Sequence, residues 1–484
     1  MESGDATADG RLLHSRFLAL AAMEFWERFA MSGVKSLLVL ILVDHVLAGD
    51  LSRVLGATAI RDAGTLFFGP VSTTGLASQL YGYANALVYL AIPLGGLAGD
   101  LIGSRRVMVT SGGAGMLLGL ALMLSERSFL IGLIPFAIGT GLLKGNLSAQ
   151  VGLLFRDEAQ RRRGYAVYLG FLNAGVICGP LVCGALAAFA GVHYAIGAAA
   201  AALGIGLVFY ARSGRERNHL HQAAAPAGAS AAPILATGLL IVALIAVYLG
   251  YSAYDQVGNM FLVWARAHVD LRLGGWTMPV AWFLSLDGAF TLVLIAGSQL
   301  AMRALERRGI AISATAQILL GGLLCAAGYV VLAIGSASEG GAPLPLPWAL
   351  VYLLLIDGAI VLMWPSGLSL IAGTAPRRMV GFWMGLFYLH GFFASLWVGF
   401  SGVYYGRMAT PHFWLLHAGV AGAGALFVLL AGFPLMRALR ASGDQHLGMG
   451  EGTGVAVVER LVGDEDVDIG ERRGLDQRIA PELG

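Results

Sequence analysis

Charge is what this sequence has least of. Only 12% of its 484 residues are Asp, Glu, Lys or Arg, against 57% hydrophobic residues, and the mean hydropathy is +0.74. A water-soluble chain of this length carries roughly a quarter charged residues to cover its surface, so a soluble globular class is excluded. Cysteine is scarce too. Cys178, Cys183 and Cys325 all lie in apolar runs, which argues against a disulfide framework and against a metal site. Lysine is nearly missing: of 31 basic residues, all but Lys35 and Lys144 are arginine. No nucleophile–base set, phosphate-cradling loop or metal-ligand cluster stands out, so neither an enzyme nor a cofactor is expected. A net charge of +2 gives no reason to expect nucleic acid as a partner.

Long apolar runs are what is there, many of about 20 residues or more, enough to cross a hydrocarbon core of roughly 30 Å. Twelve are expected, near 15–46, 76–100, 106–124, 128–155, 164–190 and 192–211, then 233–267, 276–305, 309–336, 346–373, 379–406 and 411–440. The first follows directly on Arg11 and Arg16 and lacks a small-residue cleavage site, so it reads as a permanent span rather than a signal peptide. The organisation is therefore a short N-terminus (1–14), a six-helix bundle (15–211), a polar linker (212–232), a second six-helix bundle (233–440) and a charged, Gly-rich, flexible tail (441–484). Arginine sets the orientation. One set of loops carries sixteen, among them Arg105, Arg106, Arg161, Arg162, Arg163, Arg307 and Arg308, whereas the opposite loops carry six: Arg53, Arg61, Arg127, Arg266, Arg272 and Arg407. Positive charge stays inside, which places both termini, linker and tail on the cytoplasmic side; a monomeric, multi-pass protein of a bacterial inner membrane is expected. The fold class expected is an all-α membrane protein of two six-helix bundles. That is the layout of the major facilitator superfamily, whose substrate site lies near the midplane between the halves.

Ionisable groups inside spans cost at least about 2.5–3.5 kcal/mol each near the centre, so the few present are candidates for function. They are Glu24, Glu27, Arg28 and Lys35 in span one, Lys144 in span four, Asp255 (beside Gln256 and Asn259) in span seven, Asp287 in span eight, Asp357 in span ten and His390 in span eleven. Since every loop uses arginine where a cation is wanted, two intramembrane lysines point to sites that need a compact ammonium. The alternative, snorkelling to an interface, suits Lys35 better than Lys144. Glu24, Glu27 and Arg28 share one helix face, and Lys35 lies seven residues further along the same stripe. Two carboxylates beside one guanidinium make a proton store: Arg28 holds one ionised while burial favours the protonated form of the other. A static ion-pair brace is the competing interpretation. His390 and His417 rank below these as relays, being more commonly hydrogen-bonded structural residues.

Seven ordered blocks resemble those of the proton-dependent oligopeptide transporters. Glu24-Phe-Trp-Glu27-Arg28-Phe29 is similar to that family's E-x-x-E-R-F, and Gly95-Gly96-Leu-Ala-Gly-Asp100-Leu-Ile-Gly103 to its loop after span two. Gly139-Thr-Gly-Leu-Leu-Lys144-Gly-Asn146 resembles its span-four block, and Tyr165 through Asn173-Ala-Gly175 its span-five block. Trp282 through Asp287-Gly288 resembles the span-eight block. Trp364-Pro365-Ser-Gly367 and Ala375-Pro376 through Met384-Gly385 resemble those of spans ten and eleven. The resemblance implies a proton-coupled symporter of peptides or peptide-like solutes. It implies that Glu24, Glu27 and Arg28 couple protons, that Lys144 pairs with Asp255 as a gate, and that Asp100 with Arg105 and Arg106 forms a cytoplasmic hinge. Lys35, Asn173, Tyr251, Gln256, Asn259, Asp287, Asp357, Trp364 and Phe387 are the candidate substrate-binding set, with protons as the coupling ion and a small solute and the lipid bilayer as partners.

The departures fall in the expected pocket. The family's two tyrosines after E-R-F are Met31 and Ser32, a later one is Ile41, the span-five tyrosine position holds Leu169, and the span-four proline is Gly145. The span-seven tryptophan position holds Tyr251, and the span-ten glutamate that would bind a peptide amino terminus is Ile360. An acid has instead entered span eight, at Asp287. Either the ammonium-binding anion has moved to Asp287 or Asp357, or ordinary di- and tripeptides are no longer the cargo. The second is preferred, because fewer tyrosine hydroxyls leave fewer polar contacts to a peptide backbone. Two blander readings stand beside these: Asp287 as a helix-break cap, and Asp357 as a partly solvated residue near a span end. An exporter of a peptide-derived metabolite and a non-transporting receptor on the same fold are the rival functions.

Overall fold

The computed structural model describes residues 15–155, 158–213, 233–376 and 379–441. The expected N-terminus, most of the linker and nearly all of the tail lie outside the described residues, as do Arg377 and Arg378. Among the described residues, twelve helices are long and apolar enough to cross a membrane, from Ser15–Val46 to Thr410–Ala441. Their bounds follow the expected spans to within a few residues, except at span seven, whose helix is interrupted, and at the start of span eight.

The first half contains α1 (Ser15–Ile41), the short α2 (Ala57–Phe68), α3 (Thr73–Ile102), α4 (Arg105–Met123), α5 (Phe129–Leu153), α6 (Glu158–Phe189) and α7 (Val192–Arg212). The second half contains α8 (Pro233–Tyr254), α9 (Met260–His268), α10 (Trp282–Arg307), α11 (Ala314–Ser338), α12 (Pro347–Thr374), α13 (Val380–Tyr388), α14 (His390–Gly402), α15 (Thr410–Phe427) and α16 (Phe433–Ala441). The helix α2, in the loop after span one, was not anticipated. Two minute strand pairs join the loops of the arginine-poor face: Val269–Asp270 runs parallel to Leu344–Pro345, and Arg272–Leu273 antiparallel to Trp276–Thr277. Local chemistry sets several ends. Ser72 caps α3 by accepting from the Gly75 N–H at 3.1 Å, and Gly103 closes it at φ +71°, a left-handed conformation that suits glycine.

Two spans are interrupted near mid-membrane. Span seven stops at Tyr254, makes a tight turn over Asp255–Gly258 and resumes as α9. Span eleven is split at Leu389 between α13 and α14. Broken helices at the midplane mark solute and ion sites in transporters. Elsewhere glycine permits close packing. A Cβ on Gly95 would lie 2.6 Å from the Gly141 carbonyl oxygen, and one on Gly99 only 1.7 Å from Asn146 Oδ1, so α3 and α5 meet backbone to backbone. The outward faces keep large apolar side chains bare, such as Val293 (70% exposed) and Leu300 (66%), as lipid contact requires.

The polar contacts between the halves gather toward the arginine-poor face. Arg266 pairs with Asp44, Arg407 donates to the Phe68 carbonyl at 2.8 Å, and Asn259 Nδ2 donates to Ser78 Oγ at 2.6 Å. Ser285 Oγ donates to the Ile177 carbonyl at 2.7 Å. There α3 lies directly on α14: a Cβ at Gly82 would stand 2.5 Å from the Ser395 carbonyl oxygen and 2.7 Å from Gly399 Cα. Gly82→Val should therefore disfavour this closure by about 1–3 kcal/mol, a factor of about five or more in population. Maleimide labelling of a cysteine placed at Val257, added from the arginine-poor side, should rise accordingly; unchanged labelling would contradict this role for Gly82.

Candidate functional site

Between the halves lies a cavity of about 720 Å³, within the size range of small-molecule sites. Arg28, Lys35, Lys144, Asp255 and Asp287 all line it, so five of the intramembrane charges meet in one space. Tyr89, Tyr254, Trp364, Tyr388 and His390 form its aromatic walls. Pro93, Gly96 and Ser148, from the parts of α3 and α5 nearer the arginine-rich loops, also line it, so the cavity extends from the closed face toward that side.

Span one supplies the first cluster. Glu24 and Glu27 are buried behind Arg28, whose Nε lies 2.6 Å from Glu24 Oε1 and 3.4 Å from Glu27 Oε2. The hydroxyl of Tyr168, on α6, donates to the other oxygen of Glu24. Close approach of α6 makes this possible, since a Cβ on Gly175 would fall 2.4 Å from the Phe25 carbonyl oxygen. Glu27 is fully buried, with Lys144 Nζ 3.8 Å from Oε1. Neither oxygen of Glu27 receives a hydrogen bond. The two glutamates thus differ: Glu24 is held by an ion pair and two donated hydrogen bonds, whereas Glu27 sits between two cations and bonds to neither. A buried carboxylate without hydrogen bonds is the one most readily neutralised by a proton.

The expected Lys144–Asp255 pair is not formed. Lys144 lies beside Glu27, while Lys35 Nζ donates to Asp255 Oδ1 at 3.1 Å. Ser395 Oγ donates to Asp255 Oδ2, also at 3.1 Å. The reason is axial height. Glu27 and Lys35 are eight residues apart on one helix, about 12 Å of rise, and the α8 break sets Asp255 at the level of Lys35. Lys35 therefore makes the bridge between the halves, a role the sequence reading gave to Lys144.

The candidate substrate set divides. Lys35, Asp287 and Trp364 line the cavity. Tyr251 and Phe387 stand one layer back, packed around His390 with ring centroids at 4.0 and 5.4 Å. Gln256 and Asn259 belong to a buried network that closes the arginine-poor face: Gln256 Nε2 donates to Ser401 Oγ at 2.9 Å and lies 3.0 Å from His417 Nε2. Asn173 bonds only its own helix, donating to the Leu169 carbonyl at 2.8 Å, and does not line the cavity. Asp357 is not partly solvated, as one reading had it; it is 0% exposed, because α12 begins well before it and carries it into the core. Asp287 lies inside α10, so it is no helix cap. On the arginine-rich face Asp100 and Arg105 pair at 2.6 Å, and Arg106 donates to the Ala211 carbonyl at 2.6 Å, tying the α3–α4 loop to α7.

Of the substituted positions, Met31, Ser32 and Gly145 do line the cavity, whereas Ile360 packs against the cluster around Tyr251. Sequence reasoning missed Tyr168. Its signal was a tyrosine seven residues before Gly175, on the helix face that glycine opens to α1.

A charged cavity at the midplane of two six-helix halves defines a membrane transporter. The model of the Major Facilitator Superfamily matches residues 28–399. A peptide transporter of Yersinia enterocolitica subsp. palearctica, YePEPT, is 24% identical over 482 residues, covering 83% of this chain and 90% of the relative. A di-/tripeptide transporter of Lactococcus lactis subsp. cremoris is 32% identical over 283 residues, 56% of this chain and 52% of the relative. A POT family transporter solved with 5-aminolevulinic acid superposes with a TM-score of 0.73 at 17% identity, covering 87% of this chain and 96% of the other, a likeness of fold. The chain belongs to the Major Facilitator Superfamily, as a divergent member of its proton-dependent oligopeptide transporter family.

The Tyr168–Glu24 contact is directly testable. A hydrogen bond to a charged group is worth about 1.5–3 kcal/mol, so Tyr168→Phe should lower the melting temperature of the purified protein. The drop should shrink when Glu24 is already Gln; equal drops in both backgrounds would mean the hydroxyl does not act through Glu24.

Proposed function

We propose that the chain is a proton-coupled symporter that imports a small peptide-like or amino-acid-derived solute across a bacterial inner membrane as a monomer. In this reading the arginine-rich face is cytoplasmic and the structure is the inward-facing state. The observation that carries it is the shared wall: the Glu24–Glu27–Arg28–Lys144 cluster reaches the cavity through Arg28 and Lys144. A proton on Glu27 removes the counter-charge from both cations and leaves them free for a solute carboxylate. A solute ammonium meets Asp287 on the facing half, the acid that stands in the cavity where Ile360 does not. Lys35–Asp255 holds the outer side shut. Protonating Asp255, or drawing Lys35 to an anionic solute, releases that bridge and biases the chain toward the outward-facing state. Protons are the coupling ion and no other cofactor is invoked. Export would use the same groups with gradients reversed, and nothing in the site favours it. A non-transporting receptor has no use for so many costly buried charges.

Uptake into proteoliposomes under an inward proton gradient tests this, with 5-aminolevulinic acid and dialanine as probes. Transport of the first without the second is expected; robust dialanine uptake would refute the reading of the pocket, and proton-independent uptake of either would refute coupling. With a transported probe, Glu27→Gln should abolish gradient-driven uptake yet leave exchange partly alive. Lys144→Arg should impair transport although it conserves charge, because the planar guanidinium cannot act as a compact donor between Glu27 and the cavity; full activity would show that any cation serves.

A further inference from the structure

Around the cavity five carboxyl groups (Glu24, Glu27, Asp255, Asp287 and Asp357) face only three fixed cations, Arg28, Lys35 and Lys144. The cations are spoken for by Glu24, Glu27 and Asp255. Asp287, on α10, and Asp357, on α12, are left with each other. Their carboxyls interact side chain to side chain. Asp287 lines the cavity and accepts a hydrogen bond from Tyr254 at 3.0 Å. Asp357 lies directly behind it, fully buried, and neither of its oxygens meets a donor in hydrogen-bonding geometry. The Thr291 hydroxyl, one turn along α10, is its other polar neighbour.

Two ionised carboxylates cannot share such a place. Each would lose its hydration, and each would repel the other in a medium that screens poorly. A single proton removes both difficulties. Carried by Asp357, it supplies the donor that the pair lacks and turns repulsion into a short, charge-assisted hydrogen bond to Asp287. The negative charge then rests on Asp287, where Tyr254 and the cavity can solvate it. We propose that Asp287 and Asp357 form a second proton-binding site, a dyad that shares one proton and exchanges it with the cavity, separate from the span-one cluster. The surrounding groups fit this assignment. Tyr251 and Tyr254 on α8 and Tyr352 on α12 bring phenol hydroxyls and no fixed charge. From α6, Val176 and Ile177 cover Gly288 with apolar groups. The nearest charges, Lys35 and Asp255, are already paired with one another. His390, across the cavity, donates from Nδ1 to the Phe387 carbonyl at 2.6 Å, so in its neutral form Nε2 is an acceptor, not a donor, toward the cavity. With one proton in the dyad the cavity keeps one uncompensated negative charge, which is what a solute ammonium would neutralise.

Infrared difference spectroscopy of the full chain in liposomes, at near-neutral pH and without solute, tests the site independently of what is transported. The wild type should show the C=O stretch of a protonated carboxyl that persists in Glu27→Gln. That band should disappear in Asp357→Asn and also in Asp287→Asn, and should shift down when the bath is changed to D2O. An Asp–Asn pair reproduces the donor and shape of the protonated dyad, so both variants should insert and remain monodisperse. A band that survives Asp287→Asn unchanged would reveal a lone buried acid and overturn the sharing. A band that does not shift in D2O would reveal a sealed, structural proton. Should an Asn variant fail to insert, the spectrum of Glu27→Gln still decides, because the absence of any protonated carboxyl there overturns the proposal.

Discussion

Neutralising charge where water cannot reach is the constraint on which the rest of this structure depends. An ionised group at mid-membrane is tolerated when it is paired, hydrogen-bonded or able to take a proton. Here the unpaired alternatives are removed one by one along a single helix. At the level of Glu24, Arg28 and Tyr168 supply the donors. At Glu27, Lys144 and Arg28 supply charge without hydrogen bonds. At Lys35, Asp255 arrives from the other half. The three levels of α1 are thereby neutralised in three different ways, and only at the middle one do the carboxylate oxygens lack a hydrogen-bond donor.

The packing serves that arrangement. Glycines bring helices to backbone contact where a donor or cation must reach across. Gly175 and Gly179 draw α6 onto α1, with hypothetical Cβ atoms 2.4 and 2.3 Å from the carbonyl oxygens of Phe25 and Phe29. Gly141 and Gly145 seat α5 against α3, which turns Lys144 toward α1. In the other half, the interrupted seventh span sets Asp255 and Gln256 at the junction of the halves. Asp255 faces the cavity, and Gln256 faces the network that seals the opposite side. The two halves thus contribute unlike chemistry: cations and glutamates from the first, aspartates and most of the aromatic wall from the second. The Lys35–Asp255 bridge joins the two halves at the cavity.

The twelve spans were legible because hydrophobic length and arginine placement are one-dimensional signals that the bilayer imposes directly. The intramembrane charges were legible for the same reason, and the scarcity of lysine singled out Lys35 and Lys144 before any contact was known. Partners were harder to read. Asp255 was matched with Lys144 by resemblance to a family pattern, but ion pairing depends on axial height and helix rotation, which a list of residues does not carry. Asn173 looked equally polar on paper and spends its amide on its own helix. Tyr168 was not singled out, because its partner Glu24 is met only when α6 is placed against α1.

By itself, the sequence determined that this chain is a twelve-span membrane protein of two six-helix halves with a small, costly set of buried charges, because apolar length, charge scarcity and loop arginines need no tertiary information. Only the tertiary structure decided which of those charges neutralise one another. Lys35 took Asp255 because both lie at the same height, Lys144 was left to Glu27, and Asp287 and Asp357 were left with no cation. Coulomb attraction and hydrogen bonding fall off within a few ångströms, so the assignment rests on helix rotations and breaks that are fixed only when the two halves pack together.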